Sequence, residues 1–250
     1  MKKIIKQSSL LLSIILFVQL PAQSINISYS DKTKKNSVIF TFKGGTNLPF
    51  NLGINGGIDL YPGYSSMVGE LNGSSNERWS VLGTGELNLL YNWNILDVKT
   101  LAGDFNPTIS PFIGYKHYFS STGVGGLSLS QIEPTSIFSN AGGINYGLRF
   151  SSNLPLGFYV YAEGGATSLL NGSWNQYKPD TSGSVTGNGL LLPNASIGAS
   201  FNLFNLASLR TGYNLRYIPD IRNPNSPLSD SSKSLIHSFE VGLSFLFFSI

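Results

Sequence analysis

The chain has 250 residues, with 16 basic and 13 acidic side chains and no cysteine. The lack of cysteine excludes a disulfide framework, a thiol nucleophile and a lipid-modified cysteine after a leader. Charged residues make up 12% of the chain, about half of their usual share in soluble domains, and 28 residues are glycine. Both deviations suit strands that face lipid.

Residues 1–24 have the features of a secretory leader that is cleaved from the mature chain. Three lysines precede an apolar core at residues 10–20, and a small-x-small pattern ends at Ser24. The alternative is an uncleaved membrane anchor, but this core is shorter than the roughly 20 residues that a spanning helix needs. The three lysines account for the whole basic excess, 16 against 13, so the mature chain is formally neutral and its charge gives no support for nucleic-acid binding.

Residues 25–250 are expected to form a single domain, since no linker, charge block or change in composition divides them. Within them, bulky apolar side chains alternate with small or polar ones, a period of two that predicts β-strands. In residues 78–92, for example, Leu87 lies on one face, and Glu86 and Asn88 lie on the other. The predicted strands are residues 25–30, 37–46, 51–61, 78–92, 107–120, 140–151, 157–169, 189–202, 207–218 and 236–250.

The connections between these strands differ in length in a regular way. Those after the second, fourth, sixth and eighth strands are mostly short, and two of them share Asn-Leu-Pro followed by an apolar residue, at residues 47–50 and 153–156. Most of those after the third, fifth, seventh and ninth strands are long and polar. Short turns at one end and long loops at the other are typical of transmembrane β-barrels.

These features predict an all-β fold, a transmembrane antiparallel up-and-down β-barrel of about ten strands with short periplasmic turns and long outer loops. A barrel of eight strands with a loose N-terminal hairpin is the alternative strand count, because the segment at residues 25–30 is short. A soluble ten-stranded sandwich is the alternative architecture. A sandwich would bury its aromatic residues in a core and place charged residues on its outer faces.

The charged residues of the predicted strands all lie on the face opposite to the bulky apolar residues. An arginine or lysine that faced lipid at mid-bilayer would cost roughly 2–4 kcal/mol, so the charged face is expected to line the lumen. The favoured interpretation is a network of ion pairs that fills a narrow barrel, and the alternative is a water-filled lumen whose basic excess favours anions. The ten predicted lumen residues are Lys43, Asp59, Arg78, Glu86, Lys116, Arg149, Glu163, Arg210, Arg216 and Glu240.

Aromatic residues at the ends of the predicted strands are expected at the two membrane interfaces. A tilted strand from Trp79 to Tyr91 rises about 28 Å, which matches an apolar band of about 25 Å with aromatic residues at both rims. The predicted interface aromatics are Tyr61, Trp79, Tyr91, Trp93, Tyr115, Phe119, Tyr217 and Phe247.

With its leader, ten amphipathic strands, unequal loops and aromatic last strand, the chain resembles the small outer-membrane β-barrel proteins of Gram-negative bacteria. The resemblance covers essentially the whole chain after the leader and rests on architecture rather than on a motif. It implies a position in the bacterial outer membrane, contact with outer-membrane lipid, and recognition of the last strand by the barrel-assembly machinery. Members of this family commonly end in an aromatic residue, whereas Phe247 and Phe248 are followed here by Ser249 and Ile250.

The sequence favours a structural or surface-binding barrel whose lumen is filled by side chains. A small passive pore with a slight anion preference is the alternative, and an outer-membrane lipid-modifying enzyme or protease is a third hypothesis. No residue is predicted to be catalytic. Of the two histidines, His117 and His237, the second lies on the lipid face by alternation, away from Ser238 and Glu240 on the lumen face.

The sequence contains no motif for zinc or phosphate binding, and we expect no cofactor, no metal and no nucleic-acid partner. A ligand of unknown kind at the outer loops is the partner that the sequence leaves open, since loops on a rigid scaffold commonly carry function. Trp174, Tyr177, Tyr61 and Tyr64 are the aromatic residues expected to present such a surface.

Overall fold

The computed structural model describes residues 22–69, 80–101, 103–124, 132–176, 181–203, 207–221 and 228–245. Most of the predicted leader lies outside the described residues, and so do Arg78, Trp79, Tyr177 and Phe247. The leader and its cleavage therefore stay predictions.

Ten long strands form one closed antiparallel sheet, which confirms the predicted barrel and its strand number. Each strand pairs with the strands before and after it in the chain, and the first strand pairs with the last to close the ring. The strands are β1 (Ala22–Ser30), β2 (Asn36–Asn47), β3 (Leu52–Pro62), β4 (Ser80–Tyr91), β5 (Thr108–Val124), β6 (Ile132–Leu154), β7 (Phe158–Gln176), β8 (Leu191–Leu203), β9 (Ala207–Pro219) and β10 (Lys233–Phe245).

The short N-terminal strand β1 is a full member of the barrel. It pairs with β2 from Ala22 to Tyr29 and with β10 from Gln23 to Ser30, so the eight-strand alternative is wrong. The strand begins at Ala22, inside the segment predicted to be the leader. Closure matters because hydrocarbon offers no hydrogen bonds, and a ring of strands leaves no unpaired edge.

Exposed apolar side chains cover the outer face of the barrel. Ile27 is 69% exposed and Leu87 is 62% exposed, whereas Asn26 and Asn88, which alternate with them, are buried inside. A soluble protein does not expose so large a continuous apolar surface, but a barrel in hydrocarbon requires one. This surface, the lipid belt, includes Ile25, Ile27, Val38, Phe40, Ile58, Leu87, Leu89, Ile113, Tyr115, Ile144, Leu148, Phe150, Ile197, Leu209, Phe239, Val241 and Leu243.

One end of the barrel, the turn end, has three connections of only three or four residues each. Residues 48–51, 155–157 and 204–206 join β2 to β3, β6 to β7 and β8 to β9. The two repeated Asn-Leu-Pro turns adopt a common conformation, since Phe50 (φ 63°) and Leu156 (φ 67°) both lie in the left-handed region. The fourth connection, from β4 to β5, is longer and contains the short strands Trp93–Asn94, Val98–Thr100 and Gly103–Phe105.

The opposite end, the loop end, is more extended than the sequence predicts. Loops were predicted at residues 121–139 and 171–188, but β5 continues to Val124, β6 begins at Ile132 and β7 continues to Gln176. The additional strand Thr181–Val185 pairs with the last residues of β7. Serine and glycine in these segments are typical of loops, yet pairing with long neighbouring strands keeps the backbone extended.

A short helix, α1 (Tyr64–Val68), follows β3 at the loop end and lies against β1, β2, β4 and β10. Tyr64, Met67 and Val68 are buried completely. Among the described residues, no helix is long and apolar enough to cross a membrane.

The lumen is apolar toward the loop end. Three side chains of α1 pack there against inward-facing residues of the surrounding strands, and Trp174 and Tyr217 pack against the same cluster from its edge. This cluster, the apolar plug, consists of Ile39, Tyr61, Tyr64, Met67, Val68, Leu82, Tyr118, Ala141, Leu169, Val185, Leu190, Leu192, Ile218, Ile221, Leu228 and Ile236.

The lipid belt predicts a strong asymmetry between two identical substitutions. Leu87→Arg, in the middle of β4, is expected to lower the free energy of unfolding in lipid vesicles by about 2–4 kcal/mol, because the charge would face hydrocarbon. Leu101→Arg, at a fully exposed position in the turn-end connection, is the control and should change this free energy by less than about 0.5 kcal/mol. Urea titration followed by tryptophan fluorescence measures both, and equal effects would contradict the assigned belt.

Candidate functional site

A layer of ion pairs crosses the lumen on the turn-end side of the apolar plug. Each carboxylate in the layer is matched with one cation, and both members of each pair are largely shielded from solvent. The four pairs are Arg216 Nη1 with Asp59 Oδ2 at 2.7 Å, Arg210 Nε with Glu240 Oε1 at 3.1 Å, Lys116 Nζ with Glu86 Oε2 at 3.1 Å, and Arg149 Nε with Glu163 Oε2 at 2.8 Å.

Two of the pairs follow directly from strand register. Glu86 lies opposite Lys116 in the β4–β5 ladder, and Arg149 lies opposite Glu163 in the β6–β7 ladder. Directly opposed residues on one face of a sheet are close enough for their side chains to interact.

The other two pairs depend on the curvature of the sheet or on a diagonal contact. Arg216 of β9 reaches Asp59 of β3, although β10, β1 and β2 lie between these strands in the ring. Arg210 of β9 contacts Glu240 of β10, which lies two residues along the strand from Gly242, the direct partner of Arg210. The Arg216–Asp59 pair therefore ties together two parts of the barrel wall that share no backbone ladder.

Neutral polar residues complete the hydrogen bonds of the carboxylates. Thr41 Oγ1 donates to Asp59 Oδ1 at 2.6 Å, and Asn26 Nδ2 donates to Thr41 Oγ1 at 3.0 Å. Asn214 Nδ2 donates to Glu240 Oε2 at 3.2 Å. Buried ion pairs repay the loss of hydration only when such additional bonds satisfy them, so these neutral residues are part of the layer.

Tyrosines support the two arginines of β9 from inside the lumen. The Arg210 guanidinium lies 4.7 Å from the centre of the Tyr161 ring, and its Nη2 donates to the Tyr161 hydroxyl at 2.9 Å. Arg216 Nη1 donates to the Tyr61 hydroxyl at 3.2 Å.

The position of Tyr61 corrects a prediction from the sequence. Tyr61 was expected at the membrane interface because it ends a strand, but it is only 1% exposed and lies within the plug. Side chains two residues apart on a strand lie on the same face of the sheet. Tyr61 is two residues from Asp59 on β3, so both side chains point into the lumen.

The seven other predicted interface aromatics fall into three groups. Tyr91, Trp93, Tyr115 and Phe119 are about half exposed on the outside of the barrel or its turn-end connection. Tyr217 is half-buried and packs against the apolar plug. Trp79 and Phe247 lie outside the described residues.

Nine of the ten predicted lumen residues lie in the described part of the chain, and eight of them form the four pairs. The ninth, Lys43, has no carboxylate within 4 Å among the described residues. Arg78 lies outside the described residues. A cavity of about 40 Å³ remains between the pairs, and its wall includes Lys43, Asn194 and Ser196. Such a volume holds a few water molecules at most.

The aromatic residues expected to present a loop surface do not do so together. Tyr61 and Tyr64 are buried in the plug, Trp174 is half-buried against it, and Tyr177 lies outside the described residues. The prediction that these four residues form a loop surface is therefore wrong for Tyr61 and Tyr64.

A different feature occupies the outer surface at the loop end. The ends of β4 to β7 form a cleft of about 360 Å³, lined mainly by Val81, Phe119, Phe138 and Trp174 with serine and asparagine side chains between them. This cleft could not be predicted from the sequence, because it depends on the extension of β5, β6 and β7 past the lipid belt.

The two histidines lie on the outer face, and neither forms a catalytic arrangement with a serine. His237 Nδ1 lies 2.6 Å from the Tyr213 hydroxyl, and His237 Nε2 lies 2.9 Å from Asp31 Oδ2. Ser238 is buried inside the barrel, as alternation predicts. His117 stacks on Tyr115 with 6.2 Å between the ring centres. In the part of the chain that the structure describes, no group of three or more metal-binding side chains occurs.

No protein-family model and no curated protein sequence matches the chain. Among solved structures, the chain is similar to the outer membrane protease OmpT from Escherichia coli, with 10% identity, a TM-score of 0.46, and 92% of this chain and 94% of that chain covered.

Two further similar structures are known. Outer membrane phospholipase A from Escherichia coli is 13% identical with a TM-score of 0.36, over 93% of this chain and 99% of that chain. The attachment invasion locus protein Ail of Yersinia pestis, in complex with the heparin analogue sucrose octasulfate, is 12% identical with a TM-score of 0.32, over 91% and 95%. Similarity at this level carries no argument about activity.

The Arg216–Asp59 pair predicts a large cost when one partner is removed. Arg216→Gln is expected to lower the free energy of unfolding by about 3–5 kcal/mol, because it leaves the Asp59 carboxylate buried without its cation. The double variant Asp59→Asn with Arg216→Gln should recover part of this loss.

The exposed pair between Lys233 and Asp230 provides the control. The Asp230 side chain is 87% exposed, so Asp230→Asn should change the free energy of unfolding by less than about 1 kcal/mol. Equal costs for Arg216→Gln and Asp230→Asn in urea titrations would show that the lumen pair is as well hydrated as a surface pair.

Proposed function

We propose that the protein is an integral barrel of the bacterial outer membrane with a closed lumen, and that it serves a structural or surface-binding role rather than a transport or catalytic one. The observation that carries the proposal is the filling of the lumen at two levels, by the apolar plug at the loop end and by the ion-pair layer beneath it.

The membrane position is supported by the distribution of charge and apolar surface. The lipid belt has members on nine of the ten long strands, and the nine described lumen residues that carry charge all belong to the inward-facing set. A closed barrel with this arrangement satisfies its backbone hydrogen bonds without water and keeps ionised groups out of hydrocarbon. Barrels of this construction are found in outer membranes, and the predicted leader is consistent with export to one.

The plug is held in place by burial and by hydrogen bonds. The Tyr64 hydroxyl donates to the Pro219 carbonyl and accepts from the Ile221 amide at 3.1 Å, and the Ser30 hydroxyl donates to the Met67 carbonyl. Complete burial of a side chain such as Met67 or Val68 contributes roughly 1.5–3 kcal/mol. Opening this end of the lumen would therefore lose the burial free energy of several side chains and break these hydrogen bonds.

The passive pore is the second candidate, and the narrow ring disfavours it. Barrels of about eight strands are filled by side chains, and clear aqueous channels occur at about sixteen strands. A barrel of ten strands is closer in size to the barrels that side chains fill than to those with an aqueous channel. The cavity between the ion pairs, about 40 Å³, is far smaller than a solute pathway.

We propose no catalytic role for the histidines. Both ring nitrogens of His237 are already engaged, one with Tyr213 and one with Asp31, and Ser238 lies on the opposite side of the barrel wall. A serine hydrolase requires the nucleophile and its base within hydrogen-bonding reach of each other.

The surface-binding role is assigned to the extended loop end. There, β5 to β7 and the strand Thr181–Val185 rise past the lipid belt, and Phe119, Phe138 and Trp174 line a cleft on this surface. Aromatic rings beside serine and asparagine side chains combine apolar contact with hydrogen bonding, which suits recognition of a partner from outside the cell.

The closed lumen predicts that the folded protein does not conduct in planar lipid bilayers. Insertion is established first, by the difference in gel migration between unboiled and boiled samples. Discrete current steps that lose anion preference when Arg210 and Arg216 are each replaced by glutamine would contradict the closed barrel and support the passive pore.

The orientation predicts which end of the barrel is accessible from outside the cell. The chain has no cysteine, so single-cysteine variants can be labelled without background. Ser184→Cys, at the loop end, should react on intact cells with a maleimide attached to a large poly(ethylene glycol), because its side chain is exposed there. Leu101→Cys, at the turn end, should react only after the outer membrane is permeabilised. The reverse pattern would overturn the orientation, and reaction of both on intact cells would overturn the membrane position.

A further inference from the structure

Lys43 is the one charged residue of the described lumen layer that has no ion-pair partner. Its ammonium group forms no hydrogen bond and has no carboxylate within 4 Å among the described residues. Its strongest electrostatic neighbours are Arg210, Glu240, Arg216 and Asp59. These four already form two pairs with each other, so their charges largely cancel at Lys43.

The cavity beside Lys43 contains other polar groups without protein partners. The side chains of Asn194 and Ser196 line its wall, and neither forms a hydrogen bond within the described part of the chain. An asparagine amide and a serine hydroxyl both donate hydrogen bonds, and a lysine ammonium carries three donors. Three residues that can donate hydrogen bonds therefore border one cavity.

The carboxylates in the cavity wall do not compensate Lys43. Asp59, Glu86 and Glu163 all line the cavity, but each is already paired with its own cation. The described lumen layer consequently has one positive charge more than it has negative charges. An isolated charge away from bulk water is costly unless it is paired.

We propose that this cavity binds one small inorganic anion of the size of chloride, with Lys43 as its counter-charge and Asn194 Nδ2 and Ser196 Oγ as hydrogen-bond donors. The volume of about 40 Å³ admits such an ion. Water alone fills the space without neutralising Lys43, and a cation would add to the excess charge. The site goes beyond the proposed closed barrel and does not depend on conduction.

The experiment compares thermal unfolding of the refolded full chain in detergent with sodium chloride and with sodium gluconate at the same ionic strength. Equal ionic strength keeps electrostatic screening the same, and gluconate is too large for the cavity. Chloride is expected to raise the melting temperature by roughly 3 °C with a saturating concentration dependence, because it binds the folded state alone.

Two lumen variants and one control locate the effect. Lys43→Gln should abolish the chloride-dependent shift, and the double variant Asn194→Ala with Ser196→Ala should move its midpoint to a higher chloride concentration. Lys99→Gln, which removes the same charge from an exposed turn-end position, should retain the full shift.

A second measurement keeps the test independent of the stability of the variants. Crystals of the unaltered protein grown in bromide should show an anomalous peak beside Lys43 Nζ in the lumen. An absent peak together with identical melting in chloride and gluconate would overturn the anion site. A chloride shift that persists fully in Lys43→Gln would also overturn it, because the ion would then bind elsewhere.

Discussion

The requirement that every backbone hydrogen bond be made within the protein determines the rest of this structure. In hydrocarbon an unpaired strand edge is not tolerated, so the sheet must close. It closes through β1, the shortest of the ten barrel strands, which pairs with β2 on one side and with β10 on the other. Closure at ten strands gives each strand a lipid face and a lumen face. It also makes the lumen too narrow to remain a wide aqueous channel, so the side chains on the inner face must pack against one another.

The lumen is packed in two ways that depend on each other. Buried ion pairs gain little net stability unless hydrogen bonds satisfy them and water is kept from competing with them. Thr41, Asn26 and Asn214 provide hydrogen bonds, and the apolar plug covers the layer on the loop-end side. Tyr61 belongs to both parts, because its ring packs in the plug while its hydroxyl accepts from Arg216. The plug and the layer therefore form one continuous interior.

The period of two was sufficient to predict the strands, the barrel and the inward direction of the charged residues, since one face must contact lipid. The plug could not be predicted in the same way, because apolar residues there lie on both faces. At Leu190, Leu191 and Leu192 the first and third side chains are buried and the second is exposed. Such unbroken apolar runs at strand ends are the signal that was available. The contact between Arg216 and Asp59 had no signal, since it depends on how the ring brings β9 toward β3.

The position of the apolar plug relative to the ion-pair layer also decides how an anion beside Lys43 would exchange with solvent. Along β2, Ile39 of the plug lies on one side of Lys43, and Asn47, where the strand ends at the turn end, lies on the other. An ion that crossed the plug would lose its hydration among aliphatic and aromatic side chains. The hydroxyls of Tyr61 and Tyr64, which lie in the plug, are already hydrogen-bonded. On the turn-end side the polar layer offers donors instead. The proposed ion would therefore exchange through the turn end, so that ion binding in the lumen and the proposed closure to conduction are compatible.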